Sequence, residues 1–539
     1  MRRLCRVSVI ANVFMFVVVL TALRAAGAPP AALERKVPAG PRLHTEAAIA
    51  NAAARTEQAF ERARKRGPAE LRAFLFGMPK GADLHVHLSG AVYAETFLRD
   101  AGEDGTCVDI ATLSFVRETE KKSSGTGTNQ RCREGQTAAE KLNQHQYDAL
   151  IDAFSMRSFV PSNGNSGHDH FFDTFEKFGG LNKSHVPEWI DEIVSRAAAQ
   201  NEQYVELMNT PDFSAAAALA LKIGFHSNFA EYRRLMLDQG LRGSIPAIRA
   251  EADDVEARRR QIEHCDGPAP RAACAVTVRY LFQVLRGLPR ETVFAQTLLA
   301  FELASAEPRF VGLNFVMPED GRTSMADYRL HMQMLDALHG FYPAVHISLH
   351  AGELAPGLVP PEGLTFHIRS AVEQGHAERI GHGVDVLYED RPGQLLREMA
   401  DRQVMVEINL TSNDVILGVK GDEHPLPTYL RFGVPVALST DDEGVSRIDL
   451  TTEYVRAAMT YGLSYAQLKQ MARTGIEHSF LPGADLWAAS KAGQPVQACR
   501  AQIGNPTAAG NCAIFVKSSE KAQQQWELER RFHVFEAHF

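Results

Sequence analysis

Gly81-Ala82-Asp83-Leu84-His85-Val86-His87-Leu88-Ser89-Gly90 is an apolar run that carries two histidines near its end and closes on small residues. In an extended strand, residues two apart face the same side, so both imidazoles point one way. Seven further β-like runs follow this first one (82–88), at 203–208, 275–282, 310–316, 344–350, 379–384, 404–410 and 434–440. Helical patterns lie between most of them, for example at 292–305, 325–339 and 395–402. Strand–helix alternation predicts a parallel sheet, and eight units predict a closed α/β fold, the (β/α)8 TIM barrel. A doubly wound open sheet is the structural alternative, but no glycine-rich phosphate loop follows the first strand. Polar residues gather at the strands' C-terminal ends: His85 and His87, then His350, His382, Asp441 and Asp442. In a barrel that edge is where catalytic groups converge.

The chain has 539 residues, enough for a barrel of about 250–400 residues with additions. Its net charge of −8 and pI of about 6.2 give no generally basic surface, so nucleic acid is not the expected partner. Arg2, Arg3 and Arg6 precede an apolar stretch at 7–23, followed by Ala25-Ala26-Gly27-Ala28 and Pro29-Pro30. This order reads as a secretory signal peptide over 1–28, with an uncleaved membrane anchor as the alternative. Cleavage predicts a secreted or periplasmic protein with no membrane attachment, since no other run is long enough to span a bilayer. Of seven cysteines, Cys5 lies in the leader. The other six form three sequence-local pairs, Cys107/Cys132, Cys265/Cys274 and Cys499/Cys512, and an export signal favours disulfides over free thiols.

Residues 29–77 read as a partly helical extension, with a helix at 45–66. The barrel is expected over 78–483, carrying a loop-rich insertion at about 99–145 that Cys107 and Cys132 close. Residues 141–160 and 185–200 look helical, and 484–539 read as a disulfide loop and a helix.

Two imidazoles on one strand face can bind one metal ion, and His350 in Ser348-Leu349-His350-Ala351-Gly352-Glu353 offers a third nitrogen. Asp441 or Asp442 offers a carboxylate, although adjacent strand residues point apart and only one of them need reach the metal. Three histidines, one carboxylate and a water make an open, catalytic zinc site; ligand type constrains the metal without fixing it. Glu353 then stands beside the metal as a general acid if burial raises its pKa. His382, between two glycines, can act on the water as base or electrostatic partner. Such a set suits attack on an electron-poor C=N carbon, with ring-nitrogen protonation and loss of ammonia.

His85 to Ala91, Ser348 to Glu353, Arg379 to Gly383 and Ser439 to Asp442 resemble the adenosine deaminase branch of the amidohydrolase superfamily. Val311-Gly312-Leu313-Asn314, Ile408 to Asn413 and His424-Pro425 resemble three more family segments, so that the likeness covers 78–446. The resemblance implies that His85, His87, His350 and Asp441 bind one zinc ion. It implies that Glu353 protonates purine N1, and that His382 orients and deprotonates the attacking water. Asp442 would accept from the N7 side, and the Gly312 amide would meet N3. The implied reaction is hydrolysis of adenosine or 2'-deoxyadenosine at C6, giving inosine and ammonia. The leader, the insertion and Met78-Pro79-Lys80-Gly81 resemble more narrowly the secreted growth-factor-related adenosine deaminases, which implies a homodimer and a receptor-binding insertion. Ser89 stands where the family usually has an acidic residue near the ribose 5'-hydroxyl; Asn314, Thr411 and Glu443 replace a usual Asp, Pro and Pro. These changes leave open another aminopurine or modified nucleoside as substrate. A secreted binding protein with residual activity is the reading from another class.

Overall fold

The computed structural model describes residues 46–117, 132–181, 183–488 and 493–539. The expected signal peptide and Cys5 lie outside the described residues. Eight strands form one sheet: β1 Gly81–His87, β2 Glu202–Asn209, β3 Thr277–Leu285, β4 Phe310–Val316, β5 His346–Ala351, β6 Arg379–His382, β7 Met405–Ile408 and β8 Val436–Leu438. They neighbour one another in chain order, each parallel to the next. Past the end of β8, Asp441 bridges back to β1 opposite Val86. The Asp441 amide donates to His85 O at 2.8 Å and the His87 amide donates to Asp441 O at 3.2 Å. These two bonds bring the last strand's continuation against the first and nearly close the expected barrel.

The barrel interior explains the charged residues inside apolar strands. Arg379 on β6 donates to Glu206 on β2 at 2.6 Å and to Glu407 on β7 at 2.7 Å, and all three side chains are fully buried. Buried charges persist only when paired and hydrogen-bonded, so this layer is complete in itself. Phe480 lies under the guanidinium at 3.8 Å. The outer wall is helical. Helix Arg290–Ala306 is buried on every side from Thr292 to Leu303. A helix apolar all round must be covered on all faces, and Ser214–Ile223 and Arg322–His339 pack against it.

The extensions pack on one another away from the strands' C-terminal ends. Helices Glu46–Arg66 and Pro68–Gly77 meet the C-terminal helix Glu520–Glu536 through Phe60, Phe74, Tyr465 and Phe535. The three expected disulfides are present: Cys107–Cys132, Cys265–Cys274 and Cys499–Cys512. The insertion after β1 is more regular than a loop. Ser114–Phe115, Cys107–Asp109 and Gln136–Ala138 form a three-stranded antiparallel sheet. Helices Gln144–Ala153 and Gly167–Phe178 follow, each opened by a reciprocal capping box. The helix expected at 141–160 stops at Ala153, where Ser155 Oγ donates to Ile151 O at 2.6 Å and satisfies an end carbonyl. Two contacts tie this insertion to the barrel rim: the Met156 amide donates to Val445 O at 2.8 Å, and His168 Nε2 lies 3.0 Å from Asp320 Oδ1.

Candidate active site

His85 and His87 project from one face of β1, His350 from the end of β5, and Asp441 from the turn past β8. His350 Nε2 lies 3.1 Å from His85 Nε2 and 3.2 Å from His87 Nε2. Asp441 Oδ1 lies 3.5 Å and 3.2 Å from the same two nitrogens. A tetrahedron with ligand bonds of about 2.0–2.1 Å has edges of about 3.3–3.4 Å. Four donors near that spacing, all buried, could hold one metal ion. His382 lies in the same cluster with His85, His350 and Asp441, its Nε2 3.9 Å from Asp441 Oδ2 and 3.7 Å from Glu353 Oε1.

Each ligand imidazole has its second nitrogen held by an acceptor. Glu407 Oε2 takes His85 Nδ1 at 2.6 Å, Gln283 Oε1 takes His87 Nδ1 at 2.9 Å, and Asn314 Oδ1 takes His350 Nδ1 at 2.8 Å. Such partners fix the ring so that the Nε2 lone pair faces the metal. Burial pushes the Glu407 carboxyl up, but Arg379 and His85 outweigh it and hold it below the usual range. Asp441 behaves in the same way: burial opposes its charge, while His85, His87 and His382 pull its pKa well down. Ser412 Oγ donates to its Oδ2 at 2.6 Å.

Burial, then Asp441 and Glu319, pushes the Glu353 carboxyl well above its ordinary value. Its backbone is clamped, since Glu319 accepts the Gly352 amide at 3.1 Å and the Glu353 amide at 2.8 Å. His367 Nδ1 lies 2.6 Å from that same carboxylate. Asp442 is buried with Oδ1 unpartnered by any side chain or backbone group. A Cβ added to Gly90 would lie 1.5 Å from that oxygen, so glycine is required there. Glu443 turns away and pairs with Arg196 at 2.7 Å. Both His382 and Asp441 hold left-handed backbone, at φ 69° and 61°. Non-glycine residues rarely sit there, and such strain collects at functional sites.

Not every expected residue joins the cluster. Gly312 lies in the first half of β4, paired with His346, while the ligands sit at the strands' far ends. A Cβ there would come 2.6 Å from His346 O and 3.1 Å from Phe480, so the glycine serves strand packing. Ser89 lines a cavity of about 190 Å³ beside the rim, with Asn209, Thr210 and Gln283. Gln283, Glu319 and Glu407 belong to no site motif in the sequence, and their one signal is a polar or charged residue in an otherwise apolar stretch.

The family model for adenosine deaminase matches residues 260–486. This segment is similar to the adenosine deaminase family. It contains His350, Glu353, His382, Asp441 and Asp442, and the fold adds His85 and His87 from outside it. The adenosine deaminase of Escherichia coli strain SE11 is 41% identical over 137 residues, which are 25% of this chain and 38% of that protein. That of E. coli O1:K1 is 41% identical over 138 residues, with the same two coverages. The chain thus spans 38% of the length of these curated relatives. Among solved structures, adenine deaminase of Arthrobacter aurescens aligns with TM-score 0.48 and 16% identity, over 75% of this chain and 94% of that one. Arabidopsis ADAL complexed with GMP aligns with TM-score 0.48 and 21% identity, over 76% of this chain and 94% of that one.

Proposed function

We propose that the chain is an exported, zinc-dependent hydrolytic deaminase of an aminopurine, with adenosine or 2'-deoxyadenosine as substrate. The observation that carries this reading is the buried cluster of His85, His87, His350 and Asp441 beside Glu353, whose carboxyl burial pushes well above its ordinary pKa. When bound, zinc supplies Lewis acidity that brings a water's pKa toward about 7. Glu353 holds the proton for purine N1, which draws electron density from C6. Water adds at C6, the C–N bond to the amino group breaks, and ammonia leaves with inosine as product. His382 Nε2, unpartnered and 3.7 Å from Glu353 Oε1, would act on the water, and Asp442 Oδ1 is free to meet the N7 side. Three disulfides support an extracellular or periplasmic destination. A purine nucleoside is the partner, without nucleic acid, and a homodimer is the expected assembly. Ser89 in the rim cavity favours a second reading in which the sugar end differs from that of adenosine.

Ultraviolet absorbance of adenosine mixed with the mature chain tests the proposal. Conversion to inosine that stops on chelation and returns with zinc is expected. A folded, zinc-loaded chain that leaves adenosine unchanged removes the adenosine assignment and directs the assay to other aminopurines.

A further inference from the structure

Past the end of β7 the chain enters helix Leu410–Leu417 at once, and the N-cap residue Asn409 gives this helix no side-chain cap. The first amides of a buried helix then need acceptors from elsewhere. Glu453, fully buried on helix Leu450–Tyr461, supplies them. Its Oε2 accepts the Thr411 amide at 3.2 Å, and its Oε1 accepts the Thr411 hydroxyl. A carboxylate at that end also suits the helix dipole. Arg456, three residues on from Glu453, donates to Thr411 Oγ1 at 3.4 Å and pairs with Asp414. The gripping helix is itself fixed at its start. Asp449 Oδ1 accepts the Thr452 amide and Arg72 Nη1, each at 2.9 Å. Gln200 Oε1 accepts the Thr451 amide at 2.8 Å and its hydroxyl at 2.7 Å.

The two residues between Thr411 and Asp414 bear on the active site. Ser412 Oγ donates to Asp441 Oδ2 at 2.6 Å, and Asn413 Nδ2 lies 2.9 Å from His382 Nδ1. Asp441 Oδ1, which lies 3.2 Å from His87 Nε2 and 3.5 Å from His85 Nε2, is left for the metal. A hydrogen bond on one oxygen of a ligating carboxylate holds the other in place. Thr411 and Ser412 are adjacent, so a shift of Thr411 carries the Ser412 hydroxyl with it. Loss of the Glu453 acceptor leaves a buried amide and hydroxyl unpaired and drives such a shift. We infer that Glu453 is a positioning residue for the metal centre: through Thr411 it sets Ser412 against one oxygen of Asp441 and leaves the other to the metal. The inference rests on the proposed metal site and on no step of the deamination itself.

Zinc affinity of the mature chain, measured by competition with a chromogenic chelator, tests this without substrate. Ser412→Ala is expected to weaken zinc binding by about 10–100-fold, the usual cost of losing a partner of a metal ligand. Glu453→Gln keeps the shape but leaves one acceptor for two Thr411 donors, and should weaken zinc binding by about tenfold. In the Ser412→Ala background the same change should cost less than about threefold, because the bond it acts through is gone. A merely structural Glu453 predicts a lower Tm with unchanged zinc affinity, or equal losses in both backgrounds. Either result, or undiminished affinity in Ser412→Ala, overturns the inference. If Glu453→Gln fails to fold, Thr411→Val takes its place in the cycle, since it removes only the hydroxyl from the same contact. Its loss of zinc affinity should disappear when Ser412 is replaced by alanine, and a loss that persists there overturns the inference. A wild type that binds zinc but deaminates no aminopurine removes the substrate reading and leaves this cycle to decide. A wild type without zinc affinity overturns the metal site and the inference together.

Discussion

Glu353 is the residue whose protonation state decides the proposed chemistry. Its carboxyl must carry a proton, and burial followed by the Asp441 and Glu319 charges raises its pKa so that the acid form persists. Activity therefore belongs to the protonated side: as far as this group is concerned, kcat falls as pH rises through the raised pKa. Glu353→Gln keeps the shape and removes the proton donor, so kcat should drop by about a thousandfold and the alkaline limb should vanish, with zinc content unchanged. A pH–rate profile of both proteins measures this; an alkaline limb that survives the substitution belongs to another group. The ligands themselves were legible in the sequence, because charged residues at the ends of apolar runs have few structural explanations. Their supports were not. Glu407 lies 322 positions from His85, and Asn413, though within a family-like segment, shows no role until His382 is folded against it. Gly312 was read from its motif, and only strand pairing shows that it packs against His346.

Among the elements, the strand cores were legible and their ends were not. β4 runs over Phe310–Val316, as its apolar and β-branched composition requires. β3 spans Thr277–Leu285 and starts two residues later than the expected 275–282, because Cys274 is held by its disulfide in the turn Ala272–Ala275 ahead of it. β6 stops at His382, where the positive φ breaks the extended run, and β8 is shortened to Val436–Leu438. The small sheet of the insertion was invisible, since strands of two or three residues leave no periodic pattern. The Cys107–Cys132 bridge fastens that sheet across a separation of 25 residues. By loop-closure entropy such a bridge stabilises by about 3 kcal/mol. The paired substitution Cys107→Ser with Cys132→Ser should lower the stability of the insertion by about that amount, read as faster proteolysis within 104–140 and an earlier denaturant transition. Zinc content should be unaffected, because no ligand lies in the insertion. An unchanged cleavage pattern and transition would show that the sheet holds without its bridge.

At the scale of the molecule, barrel closure and the candidate metal site meet at the same two residues. His85 and Asp441 stand 356 positions apart, yet the Asp441 amide bonds His85 O at 2.8 Å, and the two side chains share one ligand set. Without metal this set is not electrically quiet. Burial lowers the His85 pKa, but Asp441 and Glu407 outweigh it and raise it to about 10, and His87 is raised as well. In the metal-free protein His85 thus contributes stability that is fully present below its unfolded pKa of about 6.5 and is lost as pH rises through about 10. Zinc requires the unprotonated ring, so its binding must release at least this one proton. At fixed free zinc, the stabilisation on adding metal should grow with pH by about 1.4 kcal/mol per unit for each proton released, from the neutral range up to about pH 9. Thermal melts with zinc and with chelator, compared across that range, measure the difference. Melting temperatures that separate further with each step in pH match a protonated His85 in the apo protein. A constant separation would mean that the ring is already neutral, with the Glu407 and Asp441 charges compensated elsewhere.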